Sequence, residues 1–158
     1  MTLTDILSSE LVGVARGVRE MKSKDAALRE LAHLLSAGQV APSETDYYRV
    51  LCEREQLQST GIGDGVAIPH GSLESLDAQQ AALLICPDGV PFDAIDGRPA
   101  CILFAVVGPK RATGEHLKTL ARVSRLLRDA AFRAKLLASV EGAEAFALIR
   151  TAEDGRAA

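Results

Sequence analysis

His70 lies in the segment from Thr60 to Gly71, which reads TGIGDGVAIPHG, and its surroundings point to chemistry. A neutral imidazole is a good nucleophile at physiological pH and so suits phosphoryl relay. Pro69 biases Ile68 toward an extended backbone and removes one amide donor, while Gly71 admits close approach of another backbone. The spacing predicts a short strand over Val66–Ile68, ended by Pro69, with the ring held beside the glycine-rich loop Ser59–Gly65. Backbone N–H groups of that loop, at Thr60, Gly61 and Gly63, are candidates to hold phosphoryl oxygens. The residues alone also allow a histidine that only packs at a strand end. Two familiar glycine motifs do not fit. A dinucleotide loop needs a glycine where Val66 stands and a helix after it. A phosphate-cradling loop needs Gly-Lys followed by Ser or Thr, a triplet this chain lacks.

The elements that must position this ring follow from pattern. Leu11–Val18 reads as a first strand. Ser23 is a plausible cap for a helix with Leu28, Leu31, Ala32 and Leu35 at helical spacing and Gly38 beyond. Pro42-Ser43 opens a second helix carrying Tyr47, Val50 and Leu51 and fading near Leu57. Ala81–Cys86 and Cys101–Val107 read as buried strands, with turns at Pro87–Gly89 and Phe92–Gly97. Helical period returns at Thr113. At about 100° per residue, Leu120, Val123 and Leu127 fall within roughly 40° of His116, which puts that histidine on the inward face. Phe132–Leu137 and Ala143–Ile149 suggest two further short helices. This order predicts an α/β fold: three layers, with a mixed β-sheet flanked by helices on both faces.

Composition bounds the rest. The chain has 158 residues, 47% hydrophobic and 25% charged, the mix of one compact globular domain. Residues 1–150 are expected to form that domain, and the small polar stretch 151–158 to fray. A formal net charge of −3 speaks against nucleic acid as the main partner. The three cysteines, Cys52, Cys86 and Cys101, have no C-x-x-C spacing, which argues against a disulfide framework or zinc site. No leader or membrane-spanning run is visible, so the expectation is a cytoplasmic protein with no direct membrane insertion. Nothing calls for a metal or cofactor.

The segment around His70 resembles the phosphorylation-site signature of the fructose/mannitol-class enzyme IIA family of the phosphotransferase system. That signature is filled by Glu55, Ile62, Gly63, Val66, Ala67, Ile68, Pro69, His70 and Gly71. The resemblance runs from about Leu3 to Ile149. It includes Arg54, the Phe92–Gly97 turn, and His116 near the start of the later helix. Ser-Thr-Gly-Ile-Gly at residues 59–63 makes the nitrogen-related regulatory branch the nearest in kind. The resemblance implies that His70 accepts a phosphoryl group, on Nε2, from phosphorylated HPr or its nitrogen-branch counterpart NPr. It implies that His116 supports the phosphoryl group or orients His70, and that Arg54 offsets charge. The acceptor would be regulated target proteins, with a sugar-transport role through an enzyme IIB, or a binding module that has lost phosphotransfer, as alternatives. Many members carry a basic residue after Pro-His-Gly, where this chain has Ser72. Outside the signature, His33 and the strip Arg122, Arg125 and Arg128 read as solvated faces, and Asp93 and Asp96 as turn residues.

Overall fold

The computed structural model describes residues 2–15 and 21–157. Two single-turn 3-10 segments, Leu3–Asp5 and Ser9–Leu11, precede β1 (Val12–Val14). Helices α1 (Lys24–Leu35) and α2 (Glu44–Leu57) follow, then β2 (Gly61–Gly63), β3 (Val66–Ala67), β4 (His70–Leu73), β5 (Gln80–Val90) and β6 (Ala100–Pro109). The chain ends with α3 (Thr113–Leu126), α4 (Ala130–Leu137) and α5 (Gly142–Ala157).

Helix starts are fixed by side chains. Ser23 accepts from the Ala26 amide and so caps α1. Ser43 and Asp46 form a reciprocal capping box at the start of α2. Asp129 caps α4 through the Ala131 and Phe132 amides.

The described strands form one six-stranded sheet in the order β1-β5-β6-β3-β2, with β4 also pairing β6. Pairing is mixed, as expected: β1–β5, β3–β6 and β4–β6 are parallel, while β5–β6 and β2–β3 are antiparallel. Ala81–Cys86 are all buried, and so are Ile102–Val107, without the alternation of a sheet wet on one side. Both faces must therefore be covered. The coverage can be read from two glycines. A Cβ on Gly71 would lie 3.2 Å from Val50 of α2, whereas one on Gly108 would lie 3.3 Å from His116 Nδ1 of α3. His70 pairs with Val106, Gly71 with Val107 and Ser72 with Gly108. Side chains alternate along a strand, and paired residues share a face. Thus His70 and Gly108 face the α3 layer, and Gly71 faces the α2 layer.

Four expectations change in detail. β1 is found at Val12–Val14, and Arg16–Val18 of the expected strand lie outside the described residues. The segment Ser59–Gly65 is not a loop throughout: it holds β2 and the turn of a β-hairpin whose second strand is β3. Its two-residue turn, Asp64-Gly65, has positive φ at both positions (57° and 78°), which matches the twist of the flanking strands. Pro87–Gly89 is not a turn between elements. β5 runs through it by an irregularity in its register with β6, Gly89 taking φ 83°. Finally, the stretch from Thr151, expected to fray, is helical through Ala157. The reason is Glu153, a buried carboxylate whose two oxygens accept from the Leu3 and Thr4 amides at 2.7 and 3.1 Å. Arg122 lies 3.8 Å from the same carboxylate, so it is not part of a wholly solvated strip.

Replacing Glu153 by Ala would leave the buried Leu3 amide unpaired. We expect a loss of about 1–3 kcal/mol, read as a lower urea midpoint at unchanged slope. An unchanged midpoint would return this helix end to the frayed tail that composition suggests.

Candidate functional site

Strands β3 and β4 lie end to end against the same neighbour: Val66 and Ala67 pair with Ile102 and Leu103, and His70–Leu73 with Val106–Pro109. The break between them holds Ile68 and Pro69. Pro69 has no amide to offer, but its carbonyl accepts from Val106 at 3.0 Å. Ile68 turns away from β6. Its amide donates to the Thr60 carbonyl at 3.0 Å, and its carbonyl is left for a side chain. That side chain is His70, whose Nδ1 lies 2.8 Å from it. A carbonyl only accepts, so the ring proton sits on Nδ1 and the lone pair on Nε2. His70 therefore opens β4, rather than closing the strand before it.

His70 is half-buried, and its proton affinity is lowered below that of free imidazole. Burial is the main cause, and the positive charge of Arg54 adds to it. The bond to Ile68 and the charge of Glu55 oppose the shift. The ring is thus held neutral and nucleophilic at neutral pH.

His116 is brought to it from the first turn of α3. The two ring centroids are 5.7 Å apart, with planes tilted by 49°. This agrees with the inward face that helical spacing predicts. Its proton affinity is also lowered, first by burial and then by His70. Its Nδ1 is buried against Gly108 and has no hydrogen-bond partner among the described residues. Ala112, at the N-cap, has no side chain to satisfy the first-turn amides of α3. The positive end of that helix therefore sits on the His116 side of the site, where it favours an anion.

Arg54, in the last turn of α2, is half-buried and donates from its guanidinium to the Gln58 carbonyl at 2.8 Å. Its charge is felt at His70. A cleft of about 510 Å³ beside it runs between α2 and β4, lined by Arg49, Arg54, Gly71, Ser72 and Lys110 among others.

The anion-cradle reading of the glycine segment is corrected. The Thr60 amide donates to both Glu55 oxygens at 3.1 Å, and the Gly61 amide to Ser59 Oγ at 3.1 Å, so neither is free for phosphate. Gly63 sits against a carboxylate, since a Cβ there would lie 3.2 Å from Asp96 Oδ2. Like charge there opposes an added phosphoryl group. Gly61 serves packing instead: a Cβ would lie 2.9 Å from that of Ala94. Asp96 does act as a turn residue, accepting from the Asp64 and Arg98 amides, bonds that lower its pKa.

One organising residue goes beyond the sequence reading, where Glu55 only fills a signature position. It is buried, accepts from the Thr60 amide and hydroxyl, and pairs with Lys24 Nζ at 3.0 Å. An acidic residue in the last turn of α2, where the helix dipole disfavours it, is the only local signal. His33 is exposed, as expected, and bonds Glu44 at 2.8 Å. No helix among the described residues is long and apolar enough to cross a membrane.

Comparison with known proteins bears on the fold and the family. A nitrogen regulatory protein of Bradyrhizobium diazoefficiens is 38% identical over 139 residues, covering 88% of this chain and 88% of its own. The fructose-specific EIIABC component of Bacillus subtilis is 31% identical over 87% of this chain, which spans 21% of that larger protein. The crystal structure of the nitrogen regulatory protein IIA-Ntr from Neisseria meningitidis superposes with a TM-score of 0.83 at 31% identity, covering 93% of this chain and 98% of that one. The model of the family described as phosphoenolpyruvate-dependent sugar phosphotransferase system, EIIA 2, matches residues 6–152, and the chain belongs to that family.

Proposed function

We propose that this chain is a phosphohistidine carrier in which His70 Nε2 accepts a phosphoryl group from a phosphorylated partner, HPr or its nitrogen-branch counterpart NPr. The observation that carries the reading is the bond from His70 Nδ1–H to the Ile68 carbonyl, which leaves Nε2 as the nucleophile of a half-buried ring 5.7 Å from that of His116. In the transfer, a bond forms from Nε2 to phosphorus while the donor's nitrogen–phosphorus bond breaks and its electron pair returns to the donor ring. Little covalent work is asked of the protein, so positioning and charge stabilisation supply the acceleration. His116 contributes a hydrogen bond to a phosphoryl oxygen, aided by the α3 N-terminus. Arg54 offsets charge from the other side.

The family works with a phosphocarrier donor and an enzyme IIB acceptor. The nitrogen regulatory relatives favour a regulatory, cytoplasmic role here, with the phosphoryl charge of about −1.5 to −2 setting which target surfaces bind. The fructose-specific relative supports the second reading, onward transfer to an enzyme IIB cysteine.

Intact-mass spectrometry after incubation with phosphoenolpyruvate, enzyme I and HPr or NPr tests the assignment. One phosphoryl group is expected on the wild type and none on a folded His70→Ala variant. Label persisting on that variant would sink the assignment. His116→Gln should still be labelled on His70, at a rate lower by about tenfold to a thousandfold. An unchanged rate would make His116 a packing residue.

The depressed proton affinities of both rings also set a pH dependence. As pH falls through about 6.5, the unfolded chain takes up protons that the folded rings refuse, so stability falls. His33 has its pKa raised by Glu44, so its contribution is present at low pH and lost as pH rises. The difference between the wild type and a His70→Gln/His116→Gln variant isolates the pair. Between about pH 7 and pH 5 the wild-type urea midpoint should fall more steeply. Parallel curves would show that the rings are not held neutral by the fold.

A further inference from the structure

Lys24 is the first residue of α1, directly after the cap Ser23. A cation at the positive end of a helix is unfavourable for that helix, so its reason lies elsewhere. Its Nζ is 3.0 Å from Glu55 Oε2 and 3.0 Å from Asp93 Oδ2, and 5.1 Å from the centre of the Phe92 ring. The two carboxylates differ sharply. The Asp93 side chain is 84% exposed, whereas that of Glu55 is 4% exposed. A buried carboxylate needs a counter-ion, and Lys24 supplies it.

From Glu55 a continuous series of bonds leads to the reacting ring. Glu55 holds the Thr60 amide and hydroxyl. The Thr60 carbonyl takes the Ile68 amide at 3.0 Å, and the Ile68 carbonyl takes His70 Nδ1–H at 2.8 Å. The Phe92–Gly97 turn is tied to the same frame by Ser59 Oγ, which donates to the Phe92 carbonyl at 2.6 Å.

We propose that Lys24 and Glu55 are a positioning pair for phosphoryl transfer, holding through Thr60 the backbone at Ile68 whose carbonyl selects the reactive tautomer of His70. The proposal rests on the reading of His70 as the acceptor. Neither residue touches the phosphoryl group; beyond the charge that Glu55 places near the ring, the pair acts through the ring's orientation and the site of its proton. A tie that merely joins α1 to α2 would change stability and leave the ring alone.

Three full-length variants separate these. Glu55→Gln keeps the shape and one acceptor oxygen but removes the charge that Lys24 answers. Lys24→Met removes the counter-ion, and Lys24→Arg retains it. Each would be checked for folding by urea titration. The ring of His70 would be followed by long-range proton–nitrogen NMR, and phosphoryl uptake from phosphorylated HPr timed by intact mass. In Lys24→Met and Glu55→Gln, the single Nδ1–H tautomer should give way to a mixture. Uptake should slow by about tenfold to a hundredfold while still reaching one phosphoryl group. Lys24→Arg should stay near the wild type in both readouts. Folded Lys24→Met and Glu55→Gln variants with the wild-type tautomer and rate would overturn the proposal. Should Lys24→Met not fold, the near-isosteric Glu55→Gln decides alone. Wild-type protein that takes no phosphoryl group would instead defeat the acceptor reading, and the tautomer measurement would still judge the pair.

Discussion

Between Ala67 and His70 the chain interrupts one strand and begins another against the same partner, β6. That interruption is the constraint from which the site follows. A continuous ladder would spend alternate carbonyls on neighbouring strands. Here the register with β6 is kept, but the Ile68 amide is spent on Thr60 beside β2, Pro69 cannot donate, and the Ile68 carbonyl is left for the first ring beyond it. The same parity that turns His70 toward the α3 layer brings it under His116, and turns Gly71 toward α2, where a Cβ would crowd Val50 at 3.2 Å.

Electrostatics around the ring are arranged by two sequence neighbours that act in opposite directions. Arg54 lowers the proton affinity of His70 and Glu55 raises it. Their side chains leave α2 toward different surroundings: the guanidinium to the Gln58 carbonyl at the cleft, the carboxylate inward to Thr60 and Lys24. Burial decides the net result, because desolvation is the largest influence on both histidines. The proposed relay role would benefit from this balance: the ring would have to be unprotonated to attack, and its phosphorylated form ready to release the group.

Much of this was legible in the chain because local rules agreed with the tertiary fold. Pro42-Ser43 announces α2, the unbroken apolar runs announce β5 and β6, and a 100° period puts His116 inward. Failures came where local composition and tertiary contact disagree. Gly61-Ile62-Gly63 is too short and too glycine-rich to look like a strand, although Asp64-Gly65 is a hairpin signal. The amides of Thr60 and Gly61 looked free because their acceptors, Glu55 and Ser59, could not be recognised as such from spacing. Glu153 sits in a stretch that composition marks as tail, and its partners are about 150 residues away in sequence. Lys24 and Glu55 are 31 residues apart on separate helices, a pairing no single-element pattern encodes.

The charge inventory of the site also argues about what kind of phosphoryl site this is. A site built to hold phosphate tightly surrounds it with committed cations and free amides. Here the nearest guanidinium already donates to a main-chain carbonyl, the hairpin amides of Thr60 and Gly61 are spent within the protein, and Asp96 borders Gly63. What remains for the anion is one uncapped helix start, a neutral second imidazole and a partly engaged arginine. Interactions of that strength help most when charge is spread in the transition state and do little to trap the product. On the proposed carrier role, the chain would have to lose its phosphoryl group nearly as readily as it gains it, and a desolvated, tautomer-locked imidazole without committed amides around it would suit that requirement.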